Sequence, residues 1–199
     1  MHNNSAFLSS NKNELIGGLE MNLKSRVFNI FKLIEDNKEL LKPPVNNKVI
    51  WEDSEYAAMI IGGPNKRRDF HIDPADEFFY QIKGNCYVEC ITPDGKREVV
   101  TVGEGEIFML PSFVPHSPHR VKDSYGIVLE RKRAEGELES FVWFCDECNE
   151  EMHKTTVQLT DIGTQVKEAI EQFNASLELR TCKNCGHVMK EEADEWVCV

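Results

Sequence analysis

The sequence predicts a mainly β protein: a barrel of short strands with flanking helices and a small C-terminal metal module. Three observations carry this. Between Lys48 and Arg131, short apolar or alternating runs recur, separated by turn residues; that spacing suits a sandwich or barrel. On either side of this stretch, apolar residues return at helical spacing. Two Cys-x-x-Cys units, Cys145/Cys148 and Cys182/Cys185, lie toward the end of the chain.

In chain order, residues 27–41 carry Val27, Phe28, Phe31, Ile34, Leu40 and Leu41 at the spacing of a helix, and Pro43-Pro44 ends it. The strand candidates are VIW, YAAMII, EFFYQI, CYVECI, EVVTV, EIFML and GIVLE. Gly62-Gly63-Pro64, Lys83-Gly84-Asn85, Pro93-Asp94-Gly95 and Gly103-Glu104-Gly105 supply the turns between them. Residues 157–176 read as a second helix, with Leu159, Ile162, Val166, Ile170 and Phe173 on one face and a Cys-x-x-Cys unit on each side. No internal repeat or low-complexity tract is evident. The expected organisation is a polar, disordered extension over residues 1–20, a barrel domain over 21–140 and a metal-binding module over 141–199.

Composition narrows the classes of function. The chain has 199 residues, 41% hydrophobic and 29% charged, with a formal net charge of −11. Nucleic acids and anionic membranes attract clustered Lys and Arg, so an acidic chain is a poor partner for either. No 18-residue apolar run is present. The N-terminus lacks a basic start and an apolar core of signal-peptide length; Met21 could serve as an alternative start. The cytoplasm is the expected compartment.

Two segments carry the chemistry. The first is His71-Ile-Asp-Pro-Ala-Asp-Glu77, with Gly84 following; the second runs from Gly105 through Pro111 to His116. Two neutral imidazoles and one carboxylate, with other positions open, form the facial triad of non-haem Fe(II) oxygenases. Open positions let a substrate and O₂ share the ion. His71 and Glu77 are expected on neighbouring stretches of one hairpin, with His116 arriving from a later strand. Taken singly, each residue would more often be structural, and it is the pair of spaced motifs that argues for a site. Arg67 lies within Lys66-Arg67-Arg68, which alone reads as a solvated turn, and Arg120 alone reads as a surface arginine. By the same default, Glu130 is a paired structural carboxylate. His119 is expected either to buttress the site or to face solvent.

Of seven cysteines, Cys145, Cys148, Cys182 and Cys185 form the second pattern. Each Cys-x-x-Cys turn presents two thiolates, and two such turns complete a tetrahedral S₄ site for Zn²⁺ or iron. The interval between the units exceeds that of a zinc ribbon, so the second helix must loop out and return. Cys86 and Cys90, in an apolar strand, read as small core or surface residues, and Cys198 carries no assignment.

The pattern H-x-D-x-x-x-E-x₆-G followed by G-x₅-P-x₄-H resembles the two cupin motifs. It departs from them at Asp73, where a second histidine is usual, at Phe113 for glycine and at Arg120 for asparagine. Losing that histidine leaves three ligands and favours an open triad. The strings LKPPVNN, GGPNKRRDFH, EFFYQIKGN, LPSFVPHSPHR and IVLERKR look like those of the 3-hydroxyanthranilate 3,4-dioxygenase family, from about Phe28 to Cys185. The resemblance implies His71, Glu77 and His116 as ligands of a catalytic Fe(II). It implies Arg67 and Arg120 at the substrate carboxylate and the O₂ pocket, Glu130 beside the amino and hydroxyl groups, and Asn47 as a further substrate contact. Planar guanidinium groups suit a benzoate. The implied reaction opens the ring with both atoms of O₂ and yields 2-amino-3-carboxymuconate semialdehyde, which cyclises unaided to quinolinate, a precursor of NAD. The same resemblance implies a structural, rubredoxin-like iron at the four cysteines and a homodimer.

Two rivals stand beside this reading. A cupin isomerase, or a dioxygenase for another substrate, would share the triad but not the two arginines and Glu130. A metal-stabilised binding module would show no O₂ uptake with any aromatic.

Overall fold

The computed structural model describes residues 23–43, 46–158, 160 and 162–194. A 3₁₀ turn at Leu23–Arg26 leads to α1 (Ile30–Asp36), and eleven strands follow: β1 (Asn47–Val49), β2 (Tyr56–Gly62), β3 (Phe70–Ile72), β4 (Glu77–Lys83), β5 (Cys86–Ile91), β6 (Arg97–Val102), β7 (Ile107–Leu110), β8 (His116–Arg120), β9 (Tyr125–Arg131), β10 (Glu139–Phe144) and β11 (Glu151–Val157). Helices α2 (Ile162–Ala175) and α3 (Leu177–Arg180) complete the described elements. The strands form two antiparallel sheets, ordered β1-β2-β9-β4-β7 and β11-β10-β3-β8-β5-β6. This is the mainly β architecture with flanking helices that the strand spacing predicts. The polar extension over 1–20, Leu159 and Cys198 lie outside the described residues.

The sheets enclose a core of Met59, Phe79, Cys86, Val88, Cys90, Val102, Leu110 and Val128. Cys86 and Cys90 are therefore core residues. Strand alternation explains the pattern: β9 reads intermediate–buried throughout, so Gly126, Val128 and Glu130 face inward. Registers stack the interior of the first sheet in layers. Glu77 faces Glu130; Phe79 faces Val128, which is level with Met59; Gln81 faces Gly126, which is level with Ile61 and Asn47.

A second core joins the C-terminal module to the six-stranded sheet. Phe141 and Trp143 of β10 pack with Ala169 and Phe173 of α2 and with Met189, and Trp143 stacks on Phe173 at 4.5 Å between ring centroids. Val166 and Ile170 of α2 pack against this core, as the helical face predicts. Strand β10 spans the 140/141 division and pairs with both β3 and β11.

Several elements differ from expectation. The first helix covers seven residues rather than 27–41. Asn29 caps its start by accepting the Lys32 N–H, and the Asn37 side chain donates to the Leu33 carbonyl at its end. Phe31 is 69% exposed, so the expected apolar face is not buried; only Leu41, at 1%, is. The second helix starts at Ile162 because Thr155, Thr156 and Val157, all β-branched, continue β11. Strands β3, β8, β10 and β11 have no counterpart among the sequence runs. His71 and Glu77 do not share a hairpin: β3 pairs with β8 and β10, whereas β4 pairs with β7 and β9 in the other sheet. The segment from Asp73 to Asp76 crosses between the sheets, and proline at 74 suits such an irregular link.

Candidate active site and metal centres

The sheets bring the three triad residues together from opposite walls. His71 and His116 are cross-strand partners on β3 and β8, with ring centroids 5.3 Å apart. Glu77 reaches them from β4: its Oε1 lies 3.0 Å from His116 Nε2 and 3.4 Å from His71 Nδ1. The other ring nitrogens are engaged elsewhere. His116 Nδ1 lies 3.0 Å from the Val114 carbonyl, and His71 Nε2 lies 2.5 Å from Glu139 Oε2. If each ring donates its N–H to that outer oxygen, bare lone pairs point at Glu77 Oε1, itself buried and without a hydrogen-bond donor. Three converging lone pairs in a buried space suit a cation, and imidazoles oriented by a carboxylate and a carbonyl are the usual support for metal-bound histidine. The donor set therefore fits a divalent metal.

The carboxylates around His71 make the pocket attractive to positive charge, whether a proton or a metal cation. Burial works against a charge on His71, yet hydrogen bonds to Glu139 and Glu77 outweigh it and push the imidazole up to about 10. Burial, reinforced by Glu77 and opposed by Arg133, pushes the Glu130 carboxyl up to about 8. A carboxyl poised near neutral beside candidate metal ligands is suited to proton transfer.

The remaining sequence-predicted residues divide into two groups. Glu130 faces Glu77 directly across the ladder. Arg67 pairs with the buried Asp69 through two hydrogen bonds, Nε to Oδ1 at 3.0 Å and Nη2 to Oδ2. Arg120 is 2% exposed and therefore not a surface residue; its Nη1 donates to Gln81 Oε1 at 2.9 Å. By register it shares the Gln81–Gly126–Asn47 end of the interior, two layers from the triad, or about 13 Å along the strands. At Gly126, a Cβ would sit 2.6 Å from both Arg120 Nη1 and Gln81 Oε1. No side chain fits there without moving that pair. His119 is buried on the opposite strand face, with Nε2 3.3 Å from Glu89.

Sequence reasoning missed four buried partners. Asp69 holds Arg67, Gln81 holds Arg120, and Glu139 and Arg133 surround His71, Asp73 and Glu130. Glu139 carried a signal in the alternation Glu139-x-Phe141-x-Trp143, which puts a carboxylate on a buried face. Arg133, in Arg131-Lys132-Arg133, reads from sequence as solvated.

The four cysteines also converge. Their sulfurs lie within 4.8 Å of one another, with Cys145–Cys185 and Cys148–Cys182 each at 3.6 Å. A disulfide needs about 2.05 Å, whereas a tetrahedron of thiolates about 2.3 Å from a metal has edges near about 3.8 Å. The backbone N–H of Glu150 and the Asn184 amide hold the Cys148 thiol down to about 6, which favours thiolate. The geometry and chemistry fit a bound metal.

A mainly β, cupin-like barrel with a buried cluster of His71, Glu77 and His116 as a candidate metal site defines the class of protein. The model of the 3-hydroxyanthranilic acid dioxygenase family matches residues 22–174, and the chain belongs to that family. Relatives named 3-hydroxyanthranilate 3,4-dioxygenase include one from Bacillus cereus, 72% identical over 86% of this chain and 96% of its own length. One from Candida albicans is 45% identical over 83% and 96%. Among solved structures, a cupin-2 domain protein from Shewanella frigidimarina gives a TM-score of 0.42 at 21% identity, covering 55% of this chain and 98% of its own. Hydroquinone 1,2-dioxygenase from Sphingomonas gives 0.44 at 12% identity, covering 56% and 77%.

Proposed function

We propose that the chain is a non-haem Fe(II) 3-hydroxyanthranilate 3,4-dioxygenase. The observation that carries this is the convergence of His71, Glu77 and His116 from both sheets, in a chain 72% identical to a relative of that name. When bound, Fe(II) supplies a shared site for substrate and O₂ and a path for charge between them. The chain's own residues do the rest. Glu139 and the Val114 carbonyl fix the imidazole orientations. Glu130 takes the proton of the substrate hydroxyl as general base. Arg67 or Arg120 receives the carboxylate; Asp69 and Gln81 pre-set their planes, so little side-chain freedom is lost on binding. Asn47 adds a contact in the Arg120 layer, and Phe79 and Val128 form the apolar wall between the two ends of the site. The product is 2-amino-3-carboxymuconate semialdehyde, which cyclises to quinolinate and feeds NAD biosynthesis in the kynurenine pathway.

The four-cysteine site holds a structural iron or zinc. The exposed apolar residues Tyr80, Ile107 and Met109 on the outer face of β4 and β7 support a homodimer. The unpaired thiols of the four-cysteine site support a reducing cytoplasmic setting. The test is anaerobic Fe(II) loading, then 3-hydroxyanthranilate and air, following O₂ uptake and the absorbance of the ring-opened product. Iron in the barrel without either signal would refute the assignment.

A further inference from the structure

Asp73 stands where the usual first cupin motif carries a second histidine, and a carboxylate there could still bind a metal. The structure shows what restrains it. Asp73 Oδ1 accepts the Ala75 N–H at 2.6 Å, and Oδ2 accepts Arg133 Nη2 at 2.5 Å. The same Nη2 donates to Glu139 Oε2 at 2.8 Å, and Arg133 Nη1 lies 3.4 Å from Glu130 Oε1. The Arg133 side chain is 3% exposed and the three carboxylates 4% or less. One buried cation thus gathers three buried carboxylates.

Those carboxylates crowd the triad. Oxygens of Asp73 and Glu139 lie within 4.8 Å of a His71 nitrogen, and oxygens of Asp73 and Glu130 lie as close to Glu77. Divalent cations accept carboxylate oxygens readily, so a small side-chain rotation could add ligands and close the open positions. A guanidinium competes for the same oxygens. It keeps its charge, cannot itself ligate a metal, and offers donors in a fixed planar fork.

We propose that Arg133 is a positioning residue that keeps Asp73 and Glu130 off the metal, so that the barrel site stays a three-ligand triad open to a chelating substrate and O₂. The inference rests on the triad reading above. It explains how a site rich in acidic groups can remain open: the surplus carboxylates are committed to Arg133.

The test uses the full chain with its four-cysteine metal in place and Fe(II) in the barrel. Two readouts are the electron paramagnetic resonance signal of the nitric oxide adduct, with NO standing in for O₂, and the rate of iron release to a chelator. Arg133→Gln should lose most of the NO signal and release iron about tenfold more slowly, the scale on which outer partners tune metal sites. Arg133→Lys should behave more like the wild type, and adding Asp73→Asn to Arg133→Gln should restore both readouts in part, with Glu130 still unrestrained. Asp73→Asn alone should leave iron release and the NO signal unchanged, because Asp73 is not a ligand. An Arg133→Gln chain with wild-type readouts would overturn the proposal. So would loss of iron in Asp73→Asn, which decides the matter if Arg133→Gln fails to fold. A wild-type barrel that binds no iron would instead refute the triad reading.

Discussion

Phe141 lies stacked on His71, with ring centroids 5.3 Å apart and planes inclined by 16°. The two residues are register partners on β10 and β3. Phe141 also belongs to the core that seats α2, so one face of a candidate metal ligand rests on the module that carries the cysteines.

The triad assignment predicts that His71→Ala or His116→Ala abolishes turnover and removes about one iron per chain, while the four-cysteine metal stays. Two protein ligands make a weak, misdirected site. Metal analysis beside steady-state rates checks this, and retained activity in either variant would refute the assignment.

For the arginine clamp, Arg120→Ala should raise KM for 3-hydroxyanthranilate by an order of magnitude or more. A charge-assisted hydrogen bond contributes roughly 1.5–3 kcal/mol. 2-Aminophenol lacks the carboxylate and should suffer far less. Equal losses for both compounds would show that Arg120 does not bind that group.

Glu130 gives a pH signature in protein whose barrel is free of metal. Its carboxyl is raised from 4.5 to about 8, chiefly by burial and Glu77. Between those values the folded chain holds a proton that the unfolded chain has lost, so stability falls as pH rises through the window. Glu130→Gln should remove this component, on the order of a few kcal/mol. Thermal unfolding from pH 5 to 8 in both proteins checks it; parallel curves would contradict the assigned shift.

The cysteine module can be probed with Cys182→Ser. Structural thiolate sites contribute folding energy directly, so the variant should lose that metal and unfold at lower temperature. The barrel triad comes from β3, β4 and β8, and turnover per barrel iron should remain measurable. The Phe141–His71 stack adds a further expectation: the variant should retain barrel iron less well than the wild type. A folded variant with full barrel iron and no turnover would mean that the second metal takes part in catalysis.

The residue types of both candidate metal sites were legible because ligand chemistry restricts them to a few kinds at fixed spacing. The strands with alternating Val, Ile and Phe were legible because one buried face imposes a two-residue period. What escaped was long-range. His116-Ser-Pro-His-Arg120 is too polar to read as a strand, yet β8 sits between β3 and β5. Arg133 and Glu139 have ordinary local sequences, and only tertiary pairing shows that they are buried together. Helix α1 was overextended because apolar spacing outweighed two asparagines that cap its ends.

The shared six-stranded sheet has a consequence for the order of events during synthesis. Strand β3 is made early but pairs on one side with β8 and on the other with β10, so its outer edge stays open until the ribosome has passed Phe144. Until then His71 has neither the Phe141 ring nor the Glu139 carboxylate to orient it. A nascent chain could fold most of the barrel and still offer an unfinished, poorly selective pocket to whatever ion arrives. Strand β10 makes completion of the candidate site a late step of synthesis.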